Sequence, residues 1–259
     1  MKLATDKGHS KEPVTSTSPE RREETGFKQE LEILRYYDTV ILVDDSSSMV
    51  GGRWREARNA LATLSEIAMA YDQDGIDIYF LNELTTEGQN ITCPEAVESL
   101  FEKVRPWGWT PIARRLRELT GEYMQGLRES SLAGVMTKPI NYIVITDGVP
   151  TDHDELPNVI MNLAMALENG RYTNNQLGIQ FVQVGDDRWA TQYLQNLDGD
   201  VKYYNFPRDI VDASPYSTGD TLTGEKILKI LKGAIDRRLD NSGSVGRPGI
   251  AGSRTIQSY

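Results

Sequence analysis

Two rhythms of hydrophobic residues run through the chain. Thr39-Val40-Ile41-Leu42-Val43 is an unbroken run of mostly β-branched residues and leucine, and Ile140 to Thr146 is nearly as apolar. Runs that do not alternate with polar residues fit parallel strands covered on both faces. Ile76 to Leu81 and Gly178 to Gly185 read as two more strands, Gln89 to Thr92 as a short edge strand, and Val201 to Tyr204 as a last short one. Between these runs apolar residues recur at helical spacing. Ala57, Ala60, Leu61, Leu64, Ile67, Ala68 and Tyr71 mark a helix from about Trp54 to Tyr71, and Ile112, Leu116, Leu119 and Tyr123 mark one from Pro111 to roughly Arg128. Pro94 to about Val104, Glu155 to Asn169, Ala190 to Leu197 and a closing segment from Thr223 to about Leu239 complete the helical set.

Strands alternating with helices predict an α/β fold: a doubly wound, mostly parallel central sheet flanked by helices, with one short antiparallel edge strand. Residues 207–222 read as an irregular acidic loop. Residues 1–26 are polar and charged with no hydrophobic period and are expected to be a disordered tail. Residues 27–240 form one domain, and residues 241–259, rich in Gly, Ser and Arg, a flexible tail.

Composition narrows the function. A net charge of −10 argues against non-specific nucleic-acid binding, which needs a basic surface. The single cysteine, Cys93, rules out an internal disulfide framework. No signal-peptide pattern opens the chain and no run reaches the roughly 18 apolar residues of a membrane span. The expectation is a soluble, cytoplasmic protein with no membrane partner, in which the glycosylation triplet Asn90-Ile91-Thr92 carries no meaning.

The candidate chemistry lies directly after strands, where ligands of open α/β sheets collect. The first strand runs into Asp44, Ser46 and Ser48, each two residues from the next, and the strand ending at Thr146 is followed by Asp147. Thr110 precedes a Pro-initiated helix. These two carboxylates and three hydroxyls are oxygen donors of the kind a hard divalent cation prefers. Taken singly, Asp-Ser-Ser-Ser also fits a turn followed by a helix cap, and Thr110 a cap before Pro111.

Three segments together resemble the von Willebrand factor A-type domain and its metal-ion-dependent adhesion site. They are Asp44-Asp45-Ser46-Ser47-Ser48-Met49, Trp109-Thr110-Pro111 and Ile143-Val144-Ile145-Thr146-Asp147-Gly148. The resemblance spans roughly Tyr36 to Leu239 and keeps all five ligand positions of the family motif. It implies a Rossmann-like fold and a site for Mg²⁺, with Mn²⁺ or Ca²⁺ as alternatives. Ser46, Ser48 and Thr110 would bind through hydroxyls, and Asp44 and Asp147 directly or through water. An open coordination position would take an Asp or Glu carboxylate from a protein partner. The implied role is an intracellular adaptor or assembly factor rather than an enzyme. Asp45 departs from the family pattern, where small residues such as Gly are frequent; a second acid there either lowers affinity for acidic ligands or points into solvent.

Two alternatives stand beside this one. A Mg²⁺-dependent phosphohydrolase of the haloacid-dehalogenase type needs Asp-x-Asp after its first strand, and Ser46 occupies the position of the general acid. A scaffold with a purely structural metal is the other. Trp107 and Trp109 read first as packed under their loop, with partner anchoring as the alternative. Asp152, His153, Asp154 and Glu155 read as helix-entry acids rather than a second metal site, and Arg114, Arg115 and Arg117 as a solvated helix face.

Overall fold

A computed structural model of the chain describes residues 32–69, 75–199, 206–217, 219 and 221–241. Its centre is a five-stranded sheet in the order β2-β1-β3-β4-β5, with every neighbouring pair parallel. The strands are β1 (Asp38–Val43), β2 (Asp77–Phe80), β3 (Ile140–Thr146), β4 (Leu177–Gln183) and β5 (Val211–Ser214). Among the described residues six α-helices connect and cover them: α1 (Gly52–Met69), α2 (Pro94–Lys103), α3 (Ile112–Leu132), α4 (Leu156–Asn169), α5 (Arg188–Gly199) and α6 (Gly224–Asn241).

The non-alternating strands are apolar because both faces are covered. Ile41 and Val43 of β1, with Ile143 and Ile145 of β3, join the core under α1, α2 and α6. Val40, Leu42, Tyr142 and Val144 point the other way, into the core under α3, α4 and α5. Chain order reverses direction across the sheet between β1 and β3. That is the switch point at which parallel sheets open a crevice beyond their carboxyl ends. No helix among the described residues is long and apolar enough to cross a membrane.

Two expectations need correction. Gln89 to Thr92 is not a strand: only an isolated antiparallel bridge joins Ile76 and Ile91. Asn90 breaks the extended run, since its φ is +54° and its N–H donates to Asp77 Oδ1 at 2.8 Å. The fifth strand lies inside the stretch read as irregular loop. Val211-Asp212-Ala213-Ser214 pairs with Ile179 to Val182, and its acid, Asp212, is buried against Gln180, whose Nε2 donates to Asp212 Oδ2 at 2.5 Å. The strand expected at Val201 to Tyr204 and the two tail segments up to Gly26 and beyond Asn241 lie outside the described residues.

Helix α6 closes the fold by crossing α1 at close range. A Cβ on Gly224 would stand 2.6 Å from Leu64 N and 2.8 Å from Ala60 O, both backbone atoms, whereas a Cβ on Gly233 of the same helix would meet nothing within 4 Å. Two alanine substitutions should therefore have opposite signs. Gly233→Ala should raise stability by about 0.5–1 kcal/mol through helix propensity. Gly224→Ala should lower it by roughly 1–3 kcal/mol by forcing the helices apart. Urea denaturation of the two variants checks both signs.

Candidate metal centre

Strands β1 and β3 run out at the same level. Their register pairs Val43 with Ile145, and one further bond, Asp44 N–H to Ile145 O at 2.8 Å, carries the pairing to the first acid. Asp44 is fully buried. Its Oδ2 accepts the Thr146 hydroxyl at 2.7 Å and its Oδ1 the Ser46 N–H at 2.8 Å. Burial pushes its carboxyl up from 3.8 to about 6; the hydrogen bonds from Ser46 and Thr146 oppose that rise, and the nearby Asp147 charge adds to it.

A line of hydroxyls joins this loop to the second acid. Ser48 Oγ donates to Asp147 Oδ1 at 2.8 Å, and Ser46 Oγ lies 3.0 Å from Ser48 Oγ. A hydroxyl has one proton. The Ser48 proton goes to Asp147, and the Ser46 proton is shared between the Ser48 oxygen and the Asp44 carboxylate beside it, so each hydroxyl oxygen keeps a lone pair for another partner. Ser46 stands at the N-cap of a short 3-10 turn, Ser47–Met49, but makes no side-chain cap bond. The capping explanation of the Ser-rich loop therefore does not describe what its side chains do.

The Thr110 loop is held through main chain. The Thr110 carbonyl accepts from Ile112 N at 3.0 Å and from Thr151 N at 2.9 Å, tying its loop to the segment after β3. Two residues earlier, Gly108 O accepts from Ser47 N at 3.3 Å, tying the same loop to the segment after β1. The cap of α3 comes from elsewhere: Asp152 Oδ1 and Oδ2 accept from Ala113 N and Arg114 N at 3.1 and 2.9 Å. The buried Thr110 hydroxyl is thus relieved of the capping duty that the sequence offered it. Side-chain bonds and strand pairing bring Asp44, Ser46, Ser48 and Asp147 together, whereas for Thr110 it is the loop that is tied, through main chain, to the segments after β1 and β3.

Asp45 neither points into solvent nor faces an incoming ligand. It is buried, and it accepts Asn82 N at 2.8 Å, Asn82 Nδ2 at 3.0 Å and Glu83 N at 2.9 Å. Burial raises its carboxyl above the usual range, against these bonds. Trp107 O and Trp109 O, at 3.1 and 2.8 Å, also lie within reach of Asn82 Nδ2, whose two hydrogens are shared among these carbonyls and Asp45. Gly108 between them has φ +80°, and a Cβ there would press on Asn82 at 3.2 Å. Asp45 is thus a clamp holding the Thr110 loop by way of Asn82. Trp107 and Trp109 are not packed beneath that loop; they are 58% and 76% exposed.

Three further readings sharpen. Asp152 caps α3, not the helix that follows it, and Glu155 pairs with Arg117 at 2.7 Å. Arg115 is not a solvated residue: its Nε donates to Phe80 O at 3.1 Å, while Arg114 Nη2 donates to Leu81 O at 3.2 Å, so both close off the end of β2. The residue that sequence reasoning missed is Arg53, whose Nη1 lies 2.6 Å from Asp147 Oδ2. Its position at the start of a helix, five residues after Ser48, carries no motif.

The donor set fits a hard divalent cation: oxygen only, two buried carboxylates on adjacent strands, and hydroxyls with lone pairs to spare. It is lean in charge, for no group of three or more His, Cys, Asp or Glu side chains able to hold a metal exists among the described residues. No family model matches the chain, and no curated protein matches it.

The raised Asp44 carboxyl has a consequence for stability. A folded-state value near 6 against 3.8 means the folded chain holds this proton more tightly. The group's stabilising contribution is complete below about pH 4 and is lost as pH rises through about 6. Asp44→Asn keeps a neutral group whose oxygen can accept Ser46 N–H and whose amide can donate to Thr146 Oγ1. In chelator, this variant should be more stable than the parent at pH 7.5, by on the order of 2 kcal/mol, and close to it near pH 4. Thermal melts at the two pH values measure the difference. Equal melting at pH 7.5 would show that Asp44 carries no burial cost.

Proposed function

We propose that the chain is a metal-dependent protein-binding module of the von Willebrand factor A type. Asp44, Ser46, Ser48, Thr110 and Asp147 would hold Mg²⁺, and an Asp or Glu carboxylate of a partner protein would complete the site. The observation that carries this reading is the hydroxyl line from Ser46 through Ser48 to Asp147, beside the buried Asp44, at the switch point of the sheet. Bound there, Mg²⁺ would keep affinity for an external anion, since three of its five protein donors are uncharged hydroxyls. Exposed Trp107 and Trp109, on the loop that carries Thr110, supply the large apolar surface that anchors protein contacts. An intracellular adaptor or assembly factor is the role that agrees with these features.

The phosphohydrolase alternative has less support. Its second acid would have to be Asp45, and that carboxylate is committed to Asn82 and Glu83. A purely structural metal would not account for two exposed tryptophans beside the same loop.

Calorimetric titration with Mg²⁺ tests the reading, followed by capture of partners in Mg²⁺ or in chelator. Asp44→Ala and Thr110→Ala should each weaken Mg²⁺ binding by about tenfold or more and abolish the Mg²⁺-dependence of capture. Trp109→Ala should leave Mg²⁺ binding intact while weakening the partner by roughly 30-fold, the size of an interface hot spot. Unchanged Mg²⁺ binding in both Asp44→Ala and Thr110→Ala would sink the assignment.

A further inference from the structure

We propose that Arg53 is the resident counter-cation of this centre, and that a divalent cation enters by taking Asp147 from it. The proposal rests on the metal reading above and adds to it the residue that sets the affinity.

Asp147 is 1% exposed and fully engaged. One oxygen accepts the Ser48 hydroxyl at 2.8 Å and the other meets Arg53 Nη1 at 2.6 Å. Arg53 itself is 35% exposed, so the acid depends on the guanidinium more than the reverse. Its location is otherwise unfavourable. Arg53 is the second residue of α1, and no acid occupies that helix's first turn, so a cation sits at the positive end of the helix dipole. The seat is shaped for it: Gly185, at φ +78°, would place a Cβ 2.6 Å from Arg53 Nε, so any side chain there would evict the guanidinium. Arg53 Nη1 also approaches Ser48 O at 3.4 Å, on the loop that carries the hydroxyl donors.

A hard dication and a guanidinium compete for the same carboxylate. Removing Arg53 acts twice in one direction. It deletes a positive charge beside the incoming cation, and it leaves Asp147 buried without a counter-charge in the metal-free protein. Both effects favour metal binding. An arginine that merely positioned Asp147 would act in the opposite sense, and its loss would weaken the metal.

The test is a Mg²⁺ titration of the full chain by calorimetry, with the wild type, Arg53→Gln and Arg53→Lys. Arg53→Gln should bind Mg²⁺ about tenfold more tightly or better, the effect of one partly screened charge. Arg53→Lys, which keeps the charge, should stay within about threefold of the wild type. In the wild type, the Arg53 Nε–H resonance, assigned by its absence in Arg53→Lys, should shift in step with Mg²⁺ occupancy. Equal or weaker Mg²⁺ binding by Arg53→Gln, in a protein whose binding still depends on Asp44 and Thr110, overturns the exchange and leaves the metal site standing. If neither the wild type nor Arg53→Gln binds Mg²⁺, both proposals fall. Should Arg53→Gln not fold in chelator, the resonance decides: a signal that does not move as Mg²⁺ binds overturns the exchange.

Discussion

The structure depends on the parallel pairing of β1 with β3. Six consecutive residue pairs, from Asp38 with Ile140 to Val43 with Ile145, hold the two strands in register. Because both are apolar on both faces, the sheet is buried between two helix layers and neither strand can slip without exposing its core. The register makes the strands end together. The first acids beyond them, Asp44 on one and Asp147 on the other, therefore emerge side by side, and Thr146, the last residue of β3, already bonds Asp44 across the gap. Two carboxylates are brought close in a buried crevice by hydrophobic packing that has no chemical stake in either. The cost appears in Asp44, whose carboxyl is pushed up to about 6, and in the need for a cation beside Asp147.

Around these two acids, other charged residues are used for construction. Asp45 binds the amides after β2 and, through Asn82, the carbonyls of Trp107 and Trp109. Asp152 takes the first amides of α3, and Asp187 Oδ1 accepts from Trp189 N and Ala190 N at the start of α5. Each replaces solvent for backbone donors that a strand end or helix start leaves unpaired. The effect on the site is indirect but specific. With capping done by acids from other loops, the hydroxyls of Ser46 and Thr110 are not consumed by the backbone, and serine and threonine beside a helix start would ordinarily be used that way.

Much of this was legible in the sequence, for a physical reason. A strand buried on both faces writes its limits in unbroken apolar residues, so Ile140–Thr146 was read to the residue, and the acids immediately after such strands followed. What stayed hidden depends on contacts between segments far apart in the chain. Strand β5 carries Asp212, and its buried carboxylate accepts from Gln180 on the strand opposite. Asp45 looked like a surplus charge because its partners lie 37 and 38 residues away. Arg53 had no motif because its meaning comes from Asp147, 94 residues on. Trp107 and Trp109 were misread in the other direction: composition favours burial for tryptophan, but the clamp on Asn82 uses their carbonyls and leaves the rings outside.

The charge balance of the crevice bears on how a metal and a partner would act together. Asp147 is paired with Arg53, so at neutral pH the metal-free site offers a dication roughly the charge of Asp44 alone. An all-acid cage would bind the cation tightly and leave it no need of anything else. A lean site inverts that relation: a carboxylate supplied from outside contributes as much negative charge as either protein acid. Coupling between two ligands is reciprocal, so a metal that strengthens partner binding is itself held more tightly once the partner is present. On the proposed reading, the three hydroxyls and the arginine serve one end. They keep the intrinsic affinity for the cation low enough that the partner's carboxylate becomes part of the site rather than an addition to it.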